Sequence, residues 1–247
     1  MTTWSPRRPV RDLDPSTIRA VLFDVDGTLY RQTPLRVLMA SEVALEALRS
    51  GSLRAARRLA RILATFRRVR EELRSLGEPQ GLLLDQLQFT RTADRTGVDV
   101  EAVRNVVDEW VMQRPLKHLR PLVRFGLTPL LDALAARRLR LGVLSDYPAK
   151  HKLRAMQLET RFSLVLSTSD SLINAFKPHP KGFWRACDIW GVAPQEVLYV
   201  GDRPEIDAAG AAAAGMPCFV VARFNGPGGV GRDAGGVFAD LRRVLAV

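Results

Sequence analysis

Residues 19–30 read RAVLFDVDGTLY. From Ala20 to Phe23 the stretch is apolar without a break, and it ends at Asp24, Asp26 and Gly27. A short unbroken apolar run suits a strand covered on both faces, so a buried strand is expected over Arg19–Asp24. Carboxylates at i and i+2 on a strand end share a face, and the glycine after them lets the chain turn sharply. One acid of such a pair can act as a nucleophile while the other handles protons.

Downstream of this strand the rhythm becomes helical. From about Thr33 to Leu116 apolar residues recur three or four apart, as at Leu59, Leu63, Phe66, Leu73 and Leu76, with Gly77 and Pro79 ending one helix. Further helices are expected over Leu82–Thr92 and Glu101–Met112. From Thr128 the pattern alternates. Helices are expected over Thr128–Arg138, Ala149–Leu158, Pro180–Trp190 and Pro204–Ala214. Between and after them come strands over Leu141–Ser145, Phe162–Ser167, Val197–Val200 and Cys218–Val221. Such alternation predicts an α/β, Rossmann-like parallel sheet with helices on both faces. The early strand then joins the same sheet. Residues 1–30 and 121–247 form the expected α/β core domain, and residues 31–120 an all-helical insertion.

Three further stretches fall where this reading places carboxyl ends of strands, the edge at which open parallel sheets bind ligands. Ser145-Asp146 ends a strand and opens a helix, a place where a hydroxyl and free backbone N–H groups make a small anion site. It also reads as an ordinary helix start. Lys177, in the run AFKPHP, is a lone cation before a helix; a solvated surface lysine is the plain alternative. Gly201-Asp202 is followed by Asp207, two acids five apart after a strand. Clustered carboxylates repel unless a proton or metal neutralises them, so their convergence implies a hard cation.

With these four motifs present and in order, the chain resembles the haloacid dehalogenase superfamily of phosphatases. The resemblance covers the α/β portion; the insertion matches a helical cap of the first cap class in position and helicity only. It implies that Asp24 is the nucleophile that becomes an aspartyl phosphate, and that Asp26 protonates the leaving oxygen and then activates water. It implies Mg²⁺ held by the Asp24 carboxylate, the Asp26 backbone carbonyl and Asp202, with Asp207 a direct or water-mediated ligand. Ser145, the N–H groups around Asp146, and Lys177 would bind the phosphoryl oxygens, and Thr28 would order the loop after Asp24. Dehalogenases of the superfamily generally lack the second carboxylate, so Asp26 favours phosphoryl transfer. A phosphomutase shares all four motifs. A phosphonatase adds a cap lysine, and the insertion has one, Lys117, near its end.

Composition narrows the partners. The chain has 247 residues, 37 Lys plus Arg against 26 Asp plus Glu, and a net charge of +11. With 47% hydrophobic residues it is globular in composition, and its two cysteines cannot form a disulfide scaffold, which fits a reducing cytoplasm. No secretory signal or membrane-spanning run is evident. Residues 31–125 hold 18 basic against 11 acidic residues, so most of the excess lies in the insertion. Eight arginines between Leu53 and Leu76, among them Arg67, Arg70 and Arg74, make one helix strongly basic. This reads either as an amphipathic helix whose solvated face is basic or as a basic lid over an anionic substrate. The expected client is a small phosphorylated metabolite, with neither nucleic acid nor membrane, and a monomer or homodimer as the assembly. A regulatory protein with a vestigial core is the rival outside enzymology. Gly226, Gly228 and Gly231 fit GxGxxG, but too little chain follows for a dinucleotide-binding unit, and His118, His151 and His179 lack metal-ligand spacing.

Overall fold

Five short strands form a single parallel sheet in the order β3-β2-β1-β4-β5, in a computed structural model that describes residues 13–77, 79, 81–221 and 236–247. They are β1 (Ala20–Phe23), β2 (Arg140–Ser145), β3 (Leu164–Ser167), β4 (Val197–Gly201) and β5 (Cys218–Val220). The central strand β1 pairs with β2 on one side, Phe23 opposite Val143, and with β4 on the other, Phe23 opposite Val200. Strand order reverses between β1 and β4, so the crevice beyond their carboxyl ends is the place for a ligand.

Alternation along the strands divides the core. Val21 and Phe23 face one cluster with Leu141, Val143, Leu198 and Val200, covered by α6 (Leu127–Ala136), α7 (Lys150–Ala155) and a C-terminal helix, α10 (Gly236–Leu245). Ala20 and Leu22 face the other with Leu144 and Tyr199, covered by α8 (Lys181–Trp190) and α9 (Ala209–Ala214). Helix α10 was not anticipated, although Phe238, Leu241 and Leu245 stand at helical spacing and are fully buried.

Between β1 and α6 the described chain is helical: α1 (Gln32–Ser50), α2 (Leu53–Arg74), α3 (Leu84–Thr96), α4 (Val100–Val107), a π turn over Asp108–Gln113 and α5 (Leu116–Leu119). Helix α2 starts at Ser52, whose side chain accepts from the N–H of Ala55, and buries Ile62, Phe66, Val69 and Leu73 at the predicted spacing. Val69, Leu73 and Leu84 pack with Phe176, the residue before Lys177, so these helices lean directly on the loops at the carboxyl end of the sheet. Strand and helix ends differ from expectation by at most four residues, counting the π turn with α4, and several coincide, as at Ser145, Ser167 and Trp190. The last predicted helix before β5 begins as a π turn over Pro204–Ala208, in which the Asp207 carboxylate accepts from the N–H groups of Asp202 and Arg203, before α9. Gly226, Gly228 and Gly231 lie outside the described residues.

Candidate active site

Strand β1 delivers Asp24 to the crevice, its N–H still bonded to Val200 on β4 (2.8 Å). Gly27 then turns the chain at φ +104°, a conformation that side chains resist. A Cβ on Gly27 would stand 2.3 Å from Oδ2 of Asp202, so only glycine lets the two loops approach. The turn brings Thr28 back over Asp24, its hydroxyl donating to Oδ2 (2.9 Å), while Lys177 Nζ donates to Oδ1 (2.7 Å).

Lys177 is buried, and its ammonium also donates to Asp207 Oδ1 (2.7 Å) and to the Tyr199 hydroxyl (3.0 Å). Burial alone would lower its pKa, but Asp207 and Asp24 outweigh it and hold the lysine well above its ordinary value. Asp207 in turn accepts from the N–H groups of Asp202 (3.1 Å) and Arg203 (2.9 Å), which ties the loop after β4 to the π turn. This explains the five-residue spacing: the second acid folds back onto the backbone of the first.

Carboxylate oxygens of Asp24, Asp202 and Asp207, all buried, lie within 4.8 Å of one another. One lysine cannot offset three such charges. Burial pushes the Asp24 carboxyl up; Lys177 opposes this, while Asp207, Asp202 and Asp26 add to the rise, leaving it at about 8. A hard divalent cation fits this oxygen-only cluster and would supply the missing charge.

Asp26 points elsewhere. Lys152 of α7 donates to both its oxygens (2.6 and 2.7 Å), and the Tyr30 hydroxyl donates to one of them. Burial raises this carboxyl, yet Lys152 and the hydrogen bonds from Lys152 and Tyr30 outweigh it and hold Asp26 below the usual range.

Asp24, Asp26, Asp146, Lys177, Asp202 and Asp207 thus line one cavity of about 140 Å³, whose opposite wall is Gln32 and Arg36 from α1 and Arg67, Arg70, Glu71 and Arg74 from α2. Ser145 is buried at the end of β2, accepts from the N–H of Tyr147 (3.3 Å) and does not line the cavity. The Asp146 side chain is committed to Arg74 (2.8 Å) and to the Thr168 hydroxyl (3.1 Å). Arg70, almost fully buried on the basic helix, donates to the Asp146 carbonyl and lies 3.7 Å from the Tyr147 ring centroid. The basic helix is therefore neither wholly solvated nor wholly a substrate wall, because two of its arginines hold it to the sheet. Lys117 pairs with Glu42 (2.8 Å) and lies off the cavity, as does His179.

Sequence reasoning missed Lys152, Tyr30 and Tyr199. Tyr30 sits four residues from Asp26, a helix-like spacing that could have been noticed. Lys152 is 126 residues away from its partner and carried no local signal.

The chain matches the haloacid dehalogenase-like hydrolase family over residues 18–215. It belongs to that family. It is 37% identical over 86 residues to the phosphoglycolate phosphatase of Escherichia coli, 33% of each chain. The chain spans a third to a half of the length of the curated relatives it matches. A solved HAD phosphatase from Thermococcus onnurineus superposes with a TM-score of 0.61 at 25% identity, covering 92% of this chain and 98% of that one. A 2-haloacid dehalogenase from Pseudomonas syringae does so at 0.57, also at 25% identity, covering 93% and 98%. Among the described residues no helix is long and apolar enough to cross a membrane.

Proposed function

We propose that this member of the hydrolase family is a Mg²⁺-dependent phosphomonoester hydrolase acting on a small phosphorylated metabolite. One observation carries the choice of phosphorus over carbon–halogen chemistry: Asp26 lines the same cavity as Asp24, held by Lys152 and Tyr30. A departing halide needs no proton, whereas a departing alkoxide does.

On this reading Asp24 Oδ attacks phosphorus. The bond from phosphorus to the ester oxygen breaks, and its electron pair leaves on that oxygen, which takes a proton at Asp26 from the Asp26–Lys152 pair. Water then attacks the aspartyl phosphate, giving a proton back to Asp26, and Asp24 departs as a carboxylate. Thr28 and Lys177 fix the two oxygens of Asp24, so the nucleophile is oriented before substrate arrives. Lys177 would meet the phosphoryl oxygens, while Ser145, buried off the cavity, would brace the loop by accepting from the Tyr147 N–H; Asp146 would contribute through its backbone, since Arg74 holds its carboxylate. Asp24, Asp202, Asp207 and the Asp26 carbonyl would hold Mg²⁺, whose charge lets an anionic nucleophile approach an anionic phosphate. The inserted helices, residues 31–120, act as the cap. The two free cysteines, Cys187 and Cys218, suit a cytoplasmic enzyme.

Phosphate release from an aryl phosphate tests the reading. Wild-type chain should turn over with Mg²⁺ and stop when a chelator is added; Asp24→Asn should fold and be inactive. Undiminished activity of Asp24→Asn would overturn it. Transfer of the phosphoryl group to an added sugar phosphate, in place of release, would make the chain a mutase.

A further inference from the structure

Helices α1 and α2 pack against each other and are joined by Gly51, at φ +62°, and Ser52. The outward side of α1 carries no charge: Val37, Ala40, Ser41, Ala44, Leu45 and Leu48 are all exposed. Spaced three and four apart, they form one stripe about 17 Å long, where a solvated helix normally presents polar groups. The stripe ends at the turn. There Leu48 is 78% exposed, and Leu53, the first residue of α2, is 67% exposed.

Around these leucines the charge is of one sign. From Ala47 to Arg70 there is no acidic residue. Arg49 lies one turn from Leu45, Arg57 lies one turn from Leu53, and Arg54 and Arg58 stand beside that second pair. All four arginines are exposed and make no hydrogen bond or ion pair among the described residues.

We propose that this helical tip docks on an anionic lipid surface, with Leu48 and Leu53 entering the boundary between headgroups and acyl chains and the arginines meeting the headgroup phosphates. Apolar side chains inside a basic collar are what such a boundary selects. A second copy fits less well, because a two-fold axis would set the same arginines against themselves with no acid in the patch to pair them. A nucleic acid would use the arginines and leave the leucines idle, and no aromatic residue for base stacking occurs between Tyr30 and Phe66. Leu53 lies about 21 Å along α2 from Arg67, so docking and the cavity use opposite ends of that helix. Such docking needs no helix that crosses the bilayer, and it replaces the expectation of no membrane partner.

Sedimentation with vesicles tests the proposal. The wild-type chain should pellet with vesicles of equal parts phosphatidylglycerol and phosphatidylcholine, stay in solution with phosphatidylcholine alone, and be released as salt rises. Arg54→Gln/Arg57→Gln/Arg58→Gln should weaken partition on the order of 100-fold, about five-fold for each charge. Leu48→Ser/Leu53→Ser keeps every charge, so adsorption by charge alone predicts no change, whereas insertion predicts a loss on the order of 10-fold. Every replaced side chain is exposed, and circular dichroism of the variants should match the wild type. A dye attached at Leu48→Cys gives an independent readout: blue-shifted emission with the mixed vesicles supports insertion, and unchanged emission overturns it. Equal partition of the wild type into both vesicles, partition into neither, or an unchanged leucine variant also overturns the proposal. So does binding to polyuridylate without binding to vesicles, or a dimer that Leu48→Ser/Leu53→Ser dissociates while no vesicle is bound.

Discussion

Replacing Lys152 by methionine keeps most of the stem and removes the ammonium from Asp26. In the native fold Nζ lies 2.6 and 2.7 Å from the two carboxylate oxygens, and the side chains are 8% and 18% exposed. Breaking a fully buried pair costs about 3–5 kcal/mol. Asp26 keeps the Tyr30 hydrogen bond and some contact with water, so about 2–3 kcal/mol is expected at neutral pH. The sign with pH follows from the direction of each shift. In the wild type Asp26 is held below 3.8, so it stabilises the fold above that value and the stabilisation is lost as pH falls through the folded pKa. In Lys152→Met the effect of burial loses its main opponent and raises the carboxyl, so the penalty grows as pH climbs above 3.8. The gap between the two proteins should therefore widen from about pH 4 to about pH 8, each pKa unit being worth about 1.4 kcal/mol. Urea unfolding at both pH values, with chelator present, measures it. Both proteins carry Asp24→Asn in this comparison, because the raised Asp24 carboxyl feels the charge of Asp26 and would otherwise titrate in the same window. A double-mutant cycle with Asp26→Asn should return a coupling of about 2 kcal/mol at the higher pH. A gap independent of pH, or a coupling near zero, would refute the idea that this ion pair sets the charge of Asp26.

Gly27→Ala drives a Cβ to within 2.3 Å of Asp202 Oδ2 at an unfavourable φ. It should cost about 1–3 kcal/mol and sharply reduce the rise in Tm expected on adding Mg²⁺ to the wild type, as thermal melts with and without the ion would show. Arg70→Met leaves the Asp146 carbonyl and Gln88 without their donor and removes the stacking on Tyr147 and Phe176 (4.4 Å). A loss of about 2–4 kcal/mol in unfolding experiments and faster amide exchange along α2 are expected; unchanged exchange would show that Arg70 does not hold the helix to the sheet.

The strands were legible because a buried parallel strand leaves a local mark, an unbroken apolar run ending in glycine or an acid. That mark is plain at Ala20–Phe23 and Val197–Gly201. Helix α2 was legible for a similar reason, since Phe66, Val69 and Leu73 keep helical spacing among the arginines. The π turn after Asp202 was not, because the Asp207 carboxylate returns to two N–H groups there, and nothing in the run PEIDAAGA states that bond.

By itself the sequence determined the α/β alternation and the place of the helical insertion, which follow from short-range periodicity, and pointed to the acids at strand ends; Lys177 joined them only through the family resemblance that the motifs carry. Only the tertiary structure decided how their charges are shared. It set Lys177 between Asp24 and Asp207, and Lys152 against Asp26. It also divided the arginines of α2 into two that grip the sheet loops and one that faces the cavity with no acidic partner among the described residues. Such contacts form between groups that folding brings within reach, and separations of 30 to 153 residues along the chain leave no trace in local pattern.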